Sequence, residues 1–373
     1  MLSREQVNEI IDGYDTSKIS IGVLGSHSAL DICEGAKALG YHSVVVAKEG
    51  REKTYNKHFR ARHREGYQAD IGVVDETIVV KDWRDLASEG VVKQLRDLNT
   101  VLIPHRSLEV YLKYKLLNDL PLPIFGNRPL LQAEERTGDV LEKNQDFLAK
   151  EAGIPVPRRF NSPEDLDGTL AIVKSNKAVG ERGFERDFPR VSTPDEYETA
   201  LERSLSRAKN PEERATIEKS FRSAPIQEFI DGPQVNLNFF YSTVWGELEL
   251  LGTDERRQFP LPSGDEATHI PNSLRESLLE KVFDSAEKFL EVAKKYYPPG
   301  VIGPVSLQCI GDGKEQLDVI DFSLRNPGSP DTGITPYQHY LFGRNESRVD
   351  FGKRIAMEIK DAIAQKRVKK ILT

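Results

Sequence analysis

Lys18-Ile19-Ser20-Ile21-Gly22-Val23-Leu24-Gly25-Ser26-His27-Ser28-Ala29-Leu30 is the stretch that decides the fold class. Residues 18–25, with Ile19, Ile21, Val23 and Leu24, read as a buried strand. Ser26-His27-Ser28 breaks the run, and Ala29, Leu30, Cys33 and Leu39 then recur at helical spacing until Gly40. Serine supplies an N-cap and glycine a stop signal. Strand, turn and helix in that order open a parallel α/β sheet. Residues 42–48, 101–104 and 121–125 read outward from it as further buried strands. His27 then falls just past a strand, at a helix N-terminus, where backbone N–H groups and the helix dipole favour an anion.

Beyond residue 128 the texture changes. Residues 130–153 read as one helix, closed by Gly153 and followed by the extended Ile154-Pro155-Val156-Pro157. A strand over 170–174 leads into a glycine-punctuated loop over 175–184. Two polar helices fill 192–222, and runs at 225–230, 235–242 and 246–252 are spaced as in an antiparallel sheet. Residues 273–297 carry the clearest helical period, ended by Pro298-Pro299-Gly300. Strands over 304–310 and 317–323 follow, and a last amphipathic helix over 352–364 carries Ile355, Ile359 and Ile363 on one face.

Composition narrows the function. The 373 residues suffice for two or three domains of about 100–200 residues each. No stretch approaches the roughly 18 apolar residues of a membrane helix, and the N-terminus lacks a signal-peptide core. Two cysteines make neither a disulfide framework nor a zinc site, so an intracellular protein is expected. The net charge of −7 speaks against non-specific nucleic-acid binding.

The chemistry concentrates in the second half. Lys174 ends a strand ahead of a loop with Lys177, Gly180 and Gly183; Gln227-Glu228 ends another; Gln308 and Asp321 lie on successive strands, with Ser323 and Arg325 beyond. A nucleoside triphosphate needs a cationic clamp, backbone donors for its phosphates and oxygen ligands for Mg²⁺. Taken singly, each element has a plainer reading as a surface hairpin or a solvated edge residue. Their order and spacing together point to nucleotide. No Walker A sequence and no G-x-S-x-G elbow occurs. The segment 51–64 is rich in Arg, Lys and His; it reads either as a solvated face or, at Arg51, as a guanidinium fork for phosphate.

This order resembles the ATP-grasp superfamily, and at closer range the archaeal formate-dependent 5-formaminoimidazole-4-carboxamide ribotide synthetases. The resemblance runs through Gly25-Ser26-His27-Ser28-Ala29-Leu30, Ile103-Pro104-His105-Arg106-Ser107, Phe125-Gly126-Asn127-Arg128, Ile226-Gln227-Glu228-Phe229, Leu274-Arg275-Glu276-Ser277 and Ile302-Gly303-Pro304-Val305-Ser306-Leu307-Gln308. It implies a parallel α/β domain over 1–127, then a two-subdomain ATP-grasp fold: a small subdomain over 128–230 with the phosphate loop and a large one over 231–373 with the metal site. It implies that His27 and Ser107 face the ribotide; with Ser28, Arg51 and His269 these are the expected ribotide-binding residues, and His27 and Arg325 the expected catalytic ones. Lys174, Lys177, Gly180, Gly183 and Glu228 would hold ATP; Gln308 and Asp321 would hold Mg²⁺, or Mn²⁺ in its place. The implied reaction joins formate to the 5-amino group of the carboxamide ribotide through formyl phosphate, in a cytoplasmic homo-oligomer whose partners are small molecules, with neither nucleic acid nor membrane among them. A related carboxylate-amine ligase with another acid or amine, and a non-catalytic nucleotide-binding regulator, are the alternatives. Three local departures stand out: Thr268-His269 ahead of the Arg-Glu-Ser helix, a glycine-poor loop after Lys174, and the run Phe322-Ser323-Leu324-Arg325-Asn326 after Asp321.

Overall fold

Ser20–Leu24 is buried at every position. It lies inside a four-stranded parallel sheet whose order is Glu76–Val80, His42–Lys48, Ser20–Leu24, Thr100–Leu102. The computed structural model describes residues 2–68, 70–136, 140–178, 184–261, 264–311, 316–329, 332–343 and 348–373. Residues 121–125 meet the sheet at Leu102: Ile124 bridges it in parallel, the Leu102 N–H donates to the Pro123 carbonyl at 2.9 Å and the Phe125 N–H to the Leu102 carbonyl at 2.9 Å. Helix Ala29–Ala38 follows the first strand, and Gly40 leaves it at φ +79°, a left-handed turn that a glycine makes without cost. Ser28 occupies the N-cap position yet makes no capping bond; its hydroxyl is engaged elsewhere.

The expected helix over 130–153 is two helices, Arg128–Ala133 and Gln145–Ala152. Asn144 caps the second, and Gly153 closes it in the left-handed region. A small antiparallel sheet follows, ordered Arg159–Phe160, Ile226–Glu228, Ala171–Val173, Arg190–Val191. Helices Pro194–Leu205 and Pro211–Arg222 cover it with Tyr197, Leu201 and Phe221. Thr193 and Asn210 accept backbone N–H groups at their N-termini. Ser175–Ala178 pairs with Phe184–Asp187 in a separate two-stranded ribbon that carries the start of the loop after Lys174.

The largest sheet has five antiparallel strands in the order Gly264–Asn272, Glu247–Leu261, Gln234–Ser242, Gly303–Gly311, Leu317–Ser323. Helix Leu279–Tyr296 packs on it through Val282, Ala286 and Phe289, whose ring stacks on Phe322 at 4.4 Å. The last helix, Phe351–Ala364, returns to Ala29–Ala38. Their backbones touch at Gly35 and Gly352: a Cβ on Gly35 would lie 2.0 Å from the Gly352 carbonyl carbon. Ile355 and Ile359 thereby join Val23, Ile32 and Phe240 in one core, so the two ends of the chain are packed as a unit. Among the described residues no helix is long and apolar enough to cross a membrane.

Candidate functional site

The turn after the first strand ends in a strained residue. His27 adopts φ 51°, a left-handed conformation that costs a non-glycine residue about 1–3 kcal/mol. Its ring stacks on His105 at 5.5 Å between centroids, and its Nδ1 lies 2.9 Å from Ser28 Oγ. Burial, followed by the charges of His105, Arg325, His269 and Arg106, lowers the His27 pKa to about 3. His105 is fully buried, and its tautomer follows from its partners: Nε2 donates to the Leu24 carbonyl at 2.8 Å, and Nδ1 accepts from the Ser107 N–H at 3.2 Å. Burial brings its pKa down to about 4. Ser107 Oγ reaches Ser26 Oγ at 3.1 Å, which ties the second strand-to-helix turn to the first.

The segment 325–329 closes over this turn. Asn326 bridges to His105 by backbone and donates from Nδ2 to Ser28 Oγ at 2.9 Å. A Cβ on Gly328 would stand 3.1 Å from His27 Nε2, so only the absence of a side chain leaves that nitrogen room. The next residue, Ser329, reaches His269 Nδ1 at 3.3 Å from the other side. His269 Nδ1 also lies 2.6 Å from Asp254 Oδ1. Asn236 and Asn238 donate to the same carboxylate at 2.8 and 2.7 Å. His27, Ser28 and His269 thus meet one five-residue segment that begins at Arg325, and Ser107 joins them through Ser26. Arg51 is not part of that gathering. It stands exposed in the turn after His42–Lys48, near Tyr55, whose ring packs on Gly25.

The nucleotide-side candidates form a second group. Lys174 donates to the Ile320 carbonyl at 2.8 Å; burial first, then the Arg136 charge, lowers its pKa to about 7. Arg136 bonds the same carbonyl from Nη2 at 2.9 Å, Asp146 from Nε at 3.0 Å, and Asp321 from Nη1. Asp321 faces Gln308 in register across neighbouring strands. Gln308 Oε1 accepts from Arg256 at 3.4 Å. A carboxylate and an amide oxygen side by side are hard donors that suit Mg²⁺, which takes one or two carboxylates and completes its shell with phosphates. Among the described residues no group of three His, Cys, Asp or Glu side chains is placed to hold a metal ion. Glu228 ends its strand opposite Ala171, three residues before Lys174. Lys177 lies on the two-stranded ribbon; Gly180 and Gly183 lie outside the described residues.

Three consecutive residues join the two groups. Glu134 accepts from Arg325 Nη2 at 2.6 Å and from the Leu324 N–H at 3.0 Å. Glu135 accepts from Arg106, and Arg136 holds Asp321. Arg106 also approaches the fully buried Glu109 at 3.3 Å, and burial raises the Glu109 pKa. Sequence reading missed these residues because it placed them inside a helix, and it missed Asp254 because nothing local marks a carboxylate that meets a histidine 15 positions away.

A parallel α/β sheet, a small antiparallel sheet with a lysine at a strand end, and a larger antiparallel sheet carrying Gln308 beside Asp321 make up the ATP-grasp fold. Solved structures agree on the fold. The chain superposes on the IMP biosynthesis protein PurP of Thermococcus kodakaraensis with a TM-score of 0.65 at 24% identity, over 95% of this chain and 100% of that one. It superposes on the biotin carboxylase domain of Hydrogenobacter thermophilus 2-oxoglutarate carboxylase, solved with MgADP and bicarbonate, with a TM-score of 0.56 at 14% identity, over 91% and 69% of the two chains. Residues 21–160 match the family described as a protein of unknown function (DUF1246), and residues 205–373 a domain of unknown function (DUF1297). The particular family follows from curated relatives. The chain is 34% identical to the 5-formaminoimidazole-4-carboxamide-1-(beta)-D-ribofuranosyl 5'-monophosphate synthetase of Methanopyrus kandleri, over 97% of each chain. It is 33% identical to that of Methanocaldococcus jannaschii over 100% of each. It belongs to this synthetase family.

Proposed function

We propose that the protein is an ATP-dependent carbon–nitrogen ligase that joins formate to the 5-amino group of 5-aminoimidazole-4-carboxamide ribotide, releasing ADP and phosphate. The observation that carries this reading is the 325–329 segment, which lies between the His27–Ser28 turn and His269 and begins at Arg325, one short link from the Lys174–Asp321 group. An acceptor held at the first group stands beside a phosphate held at the second.

In this reading residues 1–127 hold the ribotide, and the parts over 128–230 and 231–373 enclose ATP. His27, Ser28, Ser107 and His269 bind the ribotide, and Arg51 takes its phosphate as a guanidinium fork. Lys174, Lys177, Gly180, Gly183 and Glu228 hold the nucleotide. Gln308 and Asp321 would hold Mg²⁺ or Mn²⁺, which when bound neutralises charge on the phosphates. Formate attacks the γ-phosphorus, ADP leaves, and formyl phosphate results. The ribotide amine then attacks the formyl carbon and phosphate leaves. Arg325, fixed by Glu134, presents its guanidinium to negative charge that develops on the transferring group. His27 stays neutral across the physiological range, so it meets formate or the ribotide as a hydrogen-bonding partner and not as a cation. Formyl phosphate hydrolyses in water, so the site must exclude solvent. The reading includes a cytoplasmic homo-oligomer, which sedimentation of the purified chain checks.

The test is ADP release with ATP, Mg²⁺, formate and the carboxamide ribotide, followed by identification of the formamido product without folate. Release with another acid and amine, but not this pair, discards the purine substrate and keeps the ligase. Tight ATP binding without release with any pair makes the chain a nucleotide-binding regulator.

A further inference from the structure

Three imidazoles border the 325–329 segment, and they differ in what could compensate a proton. His105 has both ring nitrogens engaged, with the Leu24 carbonyl and the Ser107 N–H. His27 is surrounded by cationic neighbours and burial, both of which oppose protonation. His269 alone is hydrogen-bonded to a carboxylate, Asp254, at 2.6 Å. That carboxylate is 4% exposed and the imidazole 27%, so the pair is closed at the acid and open at the ring. Asn236 and Asn238 fix both Asp254 oxygens, and Ser306 Oγ in turn donates to Asn238 Oδ1 at 2.8 Å. Such a set holds the carboxylate in one orientation. It accepts from Nδ1–H and leaves Nε2, which has no partner among the described residues, as the ring's lone pair.

We propose that His269, oriented by Asp254, is the general base that removes the proton from the attacking ribotide amine. The proposal rests on the formyl-transfer reading above and adds to it a second role for His269, with Asp254 as its positioning residue. An amine on an aromatic ring has its lone pair drawn into the ring and attacks weakly. Its adduct with an acyl phosphate is acidic and expels the amine again unless the proton is taken. The amine lone pair forms the N–C bond, the C–O bond to phosphate breaks with its electrons going to the phosphate oxygen, and the amine proton passes to His269 Nε2. Asp254 balances the imidazolium that results. The proton then leaves to solvent along the exposed edge of the ring.

Hydroxylamine separates this step from the earlier one, because it attacks acyl phosphates without a positioned base and gives formohydroxamate. His269→Gln is expected to lower ribotide-dependent kcat about 10²–10⁴-fold, the usual worth of a general base. Its formate-dependent ADP release with hydroxylamine should stay within about threefold of the parent, since an interaction used only in the second step leaves the first untouched. Asp254→Asn should lower the same kcat by about tenfold or more by presenting the wrong ring tautomer. A His269→Gln chain whose kcat is unchanged and whose ribotide KM alone rises overturns the proposal, as does an equal loss with both nucleophiles. If Asp254→Asn fails to fold, His269→Gln decides alone. A parent that makes no formohydroxamate refutes formyl transfer itself, a result distinct from failure of the base.

Discussion

Lys174 is where the phosphate reading can be tested on a single proton. In the free protein it donates to a backbone carbonyl, and burial with the neighbouring Arg136 holds its pKa near 7. Phosphate oxygens favour the charged amine, so nucleotide binding raises that value. At pH 8, where the free lysine is mostly neutral, ATP binding should take up close to one proton; at pH 6, where it is already charged, almost none. Calorimetry in buffers of different ionisation enthalpy reads this directly, and the same heat at pH 8 in every buffer would remove Lys174 from the phosphates. Lys174→Ala should weaken ATP about 10- to 150-fold, the equivalent of one charge-assisted contact worth about 1.5–3 kcal/mol. Asp321 poses a different question, because Arg136 already bonds it. Asp321→Asn should keep the fold and lose most turnover, with a raised Mg²⁺ requirement; unchanged turnover at saturating Mg²⁺ would place the metal elsewhere.

Helices Ala29–Ala38 and Phe351–Ala364 approach so closely that neither glycine at the contact tolerates a side chain. A Cβ on Gly352 would stand 2.0 Å from the Asp31 carbonyl oxygen. Gly352→Ala should destabilise the chain by about 1–3 kcal/mol or more through overpacking, seen as a lower denaturation midpoint; an unchanged midpoint would mean that the helices separate freely. This contact also shows what sequence reading can and cannot reach. The strand, turn and helix of residues 18–40 were legible because a buried apolar run and a left-handed glycine are local signals. The break within 130–153 was not, because the helix ends at Ala133 and Glu134, Glu135 and Arg136 meet Arg325, Arg106 and Asp321, and ion pairs across the fold have no local signature. Gly264–Asn272 was missed for another reason. Its sequence is polar, as an edge strand paired on one side only can be. His269 was legible through the resemblance, but its partner Asp254 emerges only when those two strands pair.

At the scale of the whole molecule, Thr373 braces the stretch around residues 117–128. Thr373 pairs with Ile124 by backbone and hydrogen-bonds Gly126 and Arg128. The buried Arg128 guanidinium donates to the carbonyls of Leu117, Leu120 and Leu122 and of Thr373, at 2.7–3.0 Å. Arg128→Met should cost about 3 kcal/mol, because several buried acceptors lose their donor together; denaturant unfolding checks it, and a loss below about 1 kcal/mol, the level of an ordinary surface change, would contradict the bracing role. Asn326, bonded to Ser28 Oγ and bridged to His105, in turn ties the His27 turn to the 325–329 segment, as the proposed two-step reaction with a water-sensitive intermediate requires. The central claim is that formate oxygen passes through formyl phosphate. Turnover with ¹⁸O-labelled formate tests it most directly: one labelled oxygen should appear in each phosphate released, alongside ADP and the formamido product. Unlabelled phosphate, with product still formed, would contradict it.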